Sequence, residues 1–499
     1  MTSRERISNV DTAWLRMDRP ENLMQILGVM IFDGRMDYER LKRTVAHRML
    51  RYRRFRQIAA QEGNGAWWID DSNFDIDAHV RHSILPAPGD KHELQKFVAE
   101  MASEPLNISR PRWEFHLVET GEGYSALVAR IHHAIADGIA LIGVLNSLTD
   151  EYADAPEDGG LAPWTRGAAS TEEKASTNDS DHFWRWIYEP MTDATQTSIR
   201  IGGKLWEKYL DLRDDPAKAL DYARIAGAIA KEIGKLALMP NDTKTRFKGK
   251  PGTVKRVAWS EPISLGDVKA VGKVLGCSVN DLLLSSVAGA LRRYLQETGD
   301  PVENTEIRAL VPVNLRAPGD IDDLGNRFGL VALELPVGIE NPLARVYETR
   351  ARMEALKDSY QAMLTFTILG AVGMAPKFIQ DQVLDLLAGK ATAVMTNVPG
   401  PQQARFFAGA TLKQQMVWVP QSGDVGMGVS ILSYDGKVQF GLITDKNMVD
   451  DPERIVERFS VEFEKLLWLV LMEPSERLAD PDAVEEALND ELAEARGYQ

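Results

Sequence analysis

The segment Ala126-Leu127-Val128-Ala129-Arg130-Ile131-His132-His133-Ala134-Ile135-Ala136-Asp137-Gly138 joins two periodicities. Up to the histidines it is a nearly unbroken apolar run of the kind that forms a buried strand. After Gly138 the apolar residues Ile139, Ile142 and Leu145 recur at helical spacing. The spacing predicts a strand-to-helix junction with two histidines at the turn, and an α/β architecture around it. If the strand continues through its last residue, Leu127, Ala129, Ile131 and His133 share one face while Arg130 and His132 share the other. Neighbouring histidines on opposite faces cannot both bind one ion, so no metal site is expected here.

Working outward, Ile26-Leu27-Gly28-Val29-Met30-Ile31-Phe32 reads as another short strand, followed by a basic helical stretch from Tyr38 to about Leu50. The arginines of Arg48-Met49-Leu50-Arg51-Tyr52-Arg53-Arg54-Phe55-Arg56 suit either an anion such as phosphate or a solvated helix end. Between Asp150 and Ser180 the composition turns to Asp, Glu, Gly, Pro, Ser and Thr, and His182 to Leu238 then reads as helices rich in Trp, Leu and Ala. A second α/β set starts near Val254 and runs to Met472. Its clearest local feature is Ser430-Ile431-Leu432-Ser433-Tyr434, then Asp435-Gly436, then Lys437-Val438-Gln439-Phe440-Gly441, a hairpin with the two-residue turn that Asp-Gly favours. The expected units are a first lobe over residues 1–180, a helical crossover over 181–253, a second lobe over 254–475 and an acidic tail over 476–499.

At 499 residues, with 44% hydrophobic and 26% charged side chains, the chain is long enough for two or three well-cored globular units. Its formal net charge of −15 argues against nucleic acid as a partner, because phosphate binding draws on Lys and Arg. The lone cysteine, Cys277, cannot form an internal disulfide, which suits a reducing cytoplasm. The opening residues lack the apolar core of an export signal. No apolar run approaches the roughly 20 residues that span a bilayer, so any membrane contact is expected to be peripheral.

A base at the end of an apolar strand sits in a low-dielectric channel, where desolvation keeps imidazole neutral and ready to accept a proton. That places His133 as a candidate general base. The competing reading is a hydrogen-bonded core histidine. All eight histidines lie between His47 and His182, so a second lobe that assists must use other groups. Asp137 can stabilise the turn or pair with an arginine, and Gly138 admits a backbone conformation closed to other residues.

The residues from His132 to Gly138 resemble the His-His-x-x-x-Asp-Gly motif of bacterial wax ester synthase/diacylglycerol acyltransferases. Upstream, Asn9 to Gly34 and Pro105-Leu106-Asn107-Ile108-Ser109-Arg110-Pro111-Arg112-Trp113-Glu114 are similar to blocks of that family. Ser278-Val279-Asn280-Asp281, Val311-Pro312-Val313-Asn314-Leu315-Arg316, Gly325-Asn326-Arg327 and Thr396-Asn397-Val398-Pro399-Gly400-Pro401 then follow in the expected order. One departure is that Arg53-Arg54-Phe55-Arg56 lacks the proline expected before Phe-Arg. The resemblance implies an α/β fold of two chloramphenicol acetyltransferase-like lobes, mixed sheet and helices in each, with the active-site tunnel between them. It implies direct transfer of a long-chain acyl group from acyl-CoA to a long-chain alcohol or diacylglycerol, with acyl-CoA as substrate and no bound cofactor or metal. The implied setting is the cytoplasm, at the inner face of the membrane or on lipid inclusions.

Within that frame His133, His132 and Asp137 form the expected catalytic group, and Gly138, Asn280 and Asn397 the substrate-facing one. Asn280 also lies in a capping box, since Ser278 and Asp281 have the spacing that starts a helix before Leu282-Leu283-Leu284. Asp281 is thus structural, as is Arg316, which the resemblance pairs with Asp137 across the lobe junction. The apolar run from Met363 to Ala375 either lines a lipid path, rests on a bilayer or forms a core helix. Two rival functions stand beside the acyl-CoA enzyme. One is a condensation-type enzyme using a carrier-bound thioester, against which the lack of a fused carrier domain counts; the other is a lipid-binding scaffold without catalysis.

Overall fold

The computed structural model describes residues 4–62, 65–136, 138–158, 242–314, 328–357, 365, 382, 389–487 and 489. In the first half the order is β1 (Arg4–Arg6), α1 (Asn9–Met17), β2 (Gln25–Phe32), α2 (Tyr38–Arg48), β3 (Gln57–Glu62), β4 (Gly65–Asp70), β5 (Val80–Ile84), α3 (Lys91–Ser103), β6 (Trp113–Glu119), β7 (Ser125–His132), α4 (Gly138–Ser147) and β8 (Thr149–Asp150). The second half carries β9 (Lys255–Trp259), β10 (Ile263–Ser264), α5 (Leu265–Leu275), α6 (Val279–Glu297), β11 (Ile307–Asn314), β12 (Phe328–Leu335), α7 (Pro342–Lys357), β13 (Ala393–Pro399), β14 (Phe406–Phe407), β15 (Ala410–Trp418), β16 (Met427–Tyr434), β17 (Lys437–Asp445) and α8 (Pro452–Met472).

One mixed sheet has the order β5-β6-β7-β2-β15-β14-β8, and β7 is buried along its whole length. Leu127, Ala129 and Ile131 pack with α1 and α2, whereas Ala126 and Val128 pack with Leu94 and Val98 of α3. A strand covered on both faces reads as continuous apolar sequence rather than an alternating one. The polar side chains on the α3 side have a structural reason. Arg130 and Gln25 donate to the carbonyls of Met101 and Glu104, groups that the end of a helix leaves without an intrahelical partner. Arg130 also pairs with Glu114 at 2.5 Å.

The second sheet has the order β10-β17-β16-β13-β11-β12 with β9 on β17, and its core is filled by α5, α6, α7 and α8. The Asp-Gly hairpin joins β16 to β17 as expected. Asp435 at φ 48° and Gly436 at φ 70° give the left-handed pair that matches strand twist. Ser278 and Asp281 form the expected capping box at the start of α6.

The chain boundary near residue 254 is not a boundary between sheets. β15 comes from the second half yet pairs with β2 of the first, from Leu412↔Phe32 to Trp418↔Leu27, and β14 pairs with β8. The arginine-rich stretch is engaged internally: Arg48 holds Asp150 with two hydrogen bonds, Arg53 holds Asp70 likewise, and Arg54 lies over Trp68. Asp137, Arg316, residues 181–241 of the crossover and, apart from Thr365, the 363–375 run lie outside the described residues.

Helices α6 and α8 meet at Gly289, where a Cβ would run into the Glu462 carboxylate and the Arg345 guanidinium. Those two form a buried ion pair. Gly289→Ala should break it and lower stability by about 3–5 kcal/mol, the usual cost of disrupting a buried pair, read as a fall in the urea midpoint at unchanged slope.

Candidate active site

The strand β7 ends at His132, and His133 lies in the following turn. The turn is closed by the Ile135 N–H donating to the His132 carbonyl. The His133 N–H donates to the Met24 carbonyl at 2.7 Å, one step past the last β2–β7 pair, Gln25↔His132. The face expected for His133 is nevertheless the face observed. Its ring enters the cluster that holds Leu127, Ala129 and Ile131, stacked on Trp14 of α1 with centroids 4.3 Å apart and planes at 25°. Phe328, the first residue of β12, covers it from the second half at 5.5 Å. His133 is 3% exposed.

His132 has partners on both ring nitrogens. Its Nδ1 accepts the Ala134 N–H at 3.1 Å, which puts the ring proton on Nε2, 3.4 Å from Asp18 Oδ2. Arg112 lies at 3.4 Å from Nε2 and 3.5 Å from Asp18. Burial pushes the His132 imidazole below its ordinary value, against the pull of Asp18. The neutral ring thus fixes the turn that presents its neighbour. Asp18 is raised by burial but lowered more by His132, the Met24 N–H and Arg112, and it titrates below the usual carboxylate range. The loop 18–24 therefore serves both histidines, one through a carboxylate and the other through a carbonyl.

From the second half, Asn397 Nδ2 at the end of β13 donates to Asn280 Oδ1 in the first turn of α6, at 2.7 Å. The two asparagines expected to face substrate are therefore joined to each other. Asp281 is buried in its capping role, and Gly138 opens α4 just beyond the histidine turn. Sequence reading assigned no role to Trp14, Asp18, Met24 or Phe328. Three of them lie inside the stretch Asn9 to Gly34, whose likeness to the family's opening was the available pointer.

Burial lowers the imidazole of His79 as well; its Nδ1 bonds the Trp113 carbonyl at 2.7 Å and its ring is stacked between Phe74 and Trp113. For both His79 and His132 the folded value lies below the ordinary ~6.5, so in that interval the unfolded chain binds protons that the folded chain does not. Stability should be complete above about pH 6.5 and fall as the pH drops to 5. In His79→Phe, which keeps a ring in the stack but has no proton to gain, the urea midpoint should fall less over the same range. A wild-type midpoint that is flat from pH 7 to 5 refutes the assignment.

Residues 7–283 match the model of the wax ester synthase/diacylglycerol acyltransferase catalytic domain, and residues 324–467 match that of the WS/DGAT C-terminal domain. A putative diacylglycerol O-acyltransferase of Mycobacterium tuberculosis is 26% identical over 481 residues, 93% of this chain and 90% of the relative. Another, of Mycobacterium bovis, is 27% identical over 397 residues, 77% of each. Among solved structures, the wax ester synthase/diacylglycerol acyltransferase of Marinobacter aquaeolei VT8 superposes with a TM-score of 0.66 at 19% identity, over 94% of this chain and 100% of that one. The starter condensation domain of rhizomide synthetase, solved with C8-CoA, gives 0.56 at 12% identity over 96% and 97%. These two structures establish the expected two-lobed fold. The catalytic-domain match alone takes in more than half of the residues and the C-terminal match follows it in order, so the chain belongs to the wax ester synthase/diacylglycerol acyltransferase family and is an acyltransferase.

Proposed function

We propose that the protein moves a long-chain acyl group from acyl-CoA to the hydroxyl of a fatty alcohol or diacylglycerol in one transfer, with His133 as general base. The acceptor O–H gives its proton to the imidazole as its oxygen bonds to the thioester carbon. The C–S bond then breaks, and the departing thiolate takes the proton back from the imidazolium, leaving CoA thiol and a neutral ring. The observation that carries this reading is the burial of the His133 ring against Trp14 of the first half and Phe328 of the second, three rings in mutual contact. Aromatic walls exclude water, which would otherwise compete with the alcohol and hydrolyse the thioester.

Support for a route without an acyl-enzyme comes from Cys277. Burial pushes its thiol up to about 11, and the thiol donates to the Leu275 carbonyl rather than to a base. His132 serves as a positioning residue, since both of its nitrogens are engaged. Asn280 and Asn397 are held together, and the resemblance puts substrate beside them. A lipid acceptor calls for contact with a lipid surface. Among the described residues no single helix is long and apolar enough to cross a membrane, while the end of α8 exposes Trp468, Leu471 and Met472, a combination suited to an interface. We place the protein at the cytoplasmic face of the membrane or on lipid inclusions.

The test is CoA release by the purified protein with palmitoyl-CoA plus hexadecanol, plus dipalmitoylglycerol, or without acceptor, each beside His133→Ala. Acceptor-dependent release should fall by about 10²- to 10⁴-fold in the variant, the usual share of general-base catalysis. Release that ignores the acceptor or survives the substitution would overturn the reading and favour a carrier-bound substrate.

A further inference from the structure

The loop 18–24, Asp18-Arg19-Pro20-Glu21-Asn22-Leu23-Met24, belongs to neither α1 nor β2, yet it holds both histidines. The Asp18 carboxylate accepts the Met24 N–H at 2.9 Å and faces His132, while the Met24 carbonyl accepts the His133 N–H at 2.7 Å. Within the loop, Arg19 and Asn22 exchange backbone hydrogen bonds, while Pro20 and Glu21 are exposed. A short exposed loop of this kind needs anchors outside itself to hold two side chains in register.

Those anchors come from the second half. The Lys255 ammonium donates to the Glu21 carbonyl at 2.5 Å and to Asn22 Oδ1 at 3.3 Å, and pairs with Asp445 Oδ2 at 2.8 Å. Asp445 is fully buried, and its carboxylate also accepts the N–H groups of Gly252 and Asn447. Asn22 Nδ2 donates to the Gly423 carbonyl at 2.5 Å. Lys255 and Asp445 are themselves directly opposite in the β9–β17 ladder, so the charge pair stands on rigid backbone. A buried ion pair is poor evidence for stability, because its desolvation cost offsets its attraction; its attested use is to specify one geometry.

We propose that Lys255, with Asp445 behind it and Asn22 in front, is a positioning residue that locks the loop 18–24 and so sets the turn carrying His133. The lock transmits the placement of the second half to the base. Phe328 contributes one wall of the His133 pocket from that half, and Lys255 fixes the loop beneath the ring's own backbone. The inference rests on His133 as the base, and displacing a base by a fraction of an ångström to 1 Å lowers turnover without loosening substrate binding.

The experiment compares the full-length wild type with Asn22→Ala, with the double variant Lys255→Met/Asp445→Asn, and with His133→Ala as reference. Lys255→Met alone would leave the Asp445 carboxylate buried without its ammonium, so the double variant replaces it. If the double variant fails to fold, Asn22→Ala decides, because it keeps the buried pair. Turnover with palmitoyl-CoA and hexadecanol is measured as kcat and KM, with the pH profile of kcat and the melting temperature. The expected result is a kcat lowered about 10- to 100-fold, both KM values nearly unchanged, and the acidic limb of the kcat profile displaced. Lower melting temperature with unchanged kcat and acidic limb, or a raised KM at unchanged kcat, would overturn the lock while leaving His133 as base. Full acceptor-dependent release by His133→Ala would remove the base assignment, and the lock with it.

Discussion

The pairing of β15 with β2 is the constraint from which the site follows. β15 reaches the first sheet from the second half of the chain and runs along β2 from Leu27 to Phe32, while β7 occupies the other edge of β2 and delivers the histidines. Six strand pairs and a bulge between Leu412 and Gln414 fix its register, and a slip by one residue would turn Met416 and Trp418 out of the core they share with α3. β15 also meets β16 of the other sheet, where the Val417 N–H donates to Ser430 Oγ, so the two sheets are in contact along it. Phe328, Leu432 and Tyr434 of the second half then become part of the core surrounding His133.

Buried charge in this fold is concentrated where backbone must be held to a single geometry. Arg130 with Glu114 satisfies the end of α3 beside β7, Arg345 with Glu462 joins α7 to α8 across Gly289, and Lys255 with Asp445 meets the loop 18–24. In the first of these, burial opposes ionisation of Glu114, yet His116, Arg130 and Arg81 together hold its carboxyl at about 2. Arg130 uses one nitrogen for that carboxylate and the other for the α3 carbonyls. The first pair spans the consecutive strands β6 and β7, whereas the other two join elements distant in sequence.

What could be read from sequence was local chemistry. The Asp435-Gly436 turn, the Ser278/Asp281 capping box and the strand-to-helix passage at His133 are each specified by neighbours within a few residues, and each is present. Parity along β7 also predicted which histidine enters the apolar pocket, even though the strand ends one residue early. The β15 exchange was not legible, because a strand's own sequence carries no mark of which sheet accepts it. The same holds for Trp14 and Phe328, which look like ordinary core aromatics until the turn at His133 brings all three rings into mutual contact. Asp18 was invisible for a related reason: its partner is 114 residues away along the chain and is reached only after β2 and β7 pair.

Adjacent histidines at a strand end have divided roles because the strand's alternation sends them to unlike environments. His132, on the side of Arg130 and Gln25, meets polar groups, and with Ala134 donating to Nδ1 its remaining proton is directed at Asp18. His133, on the side of Ile131, meets aromatic carbon. The first ring can therefore brace the turn through its polar partners, while the second is buried against aromatic carbon. Reversing the pair by one residue of register would place the polar partners around the His133 ring and leave the turn without its brace, so the phase of β7 against β2 determines the surroundings of each ring as much as the identity of the two residues does.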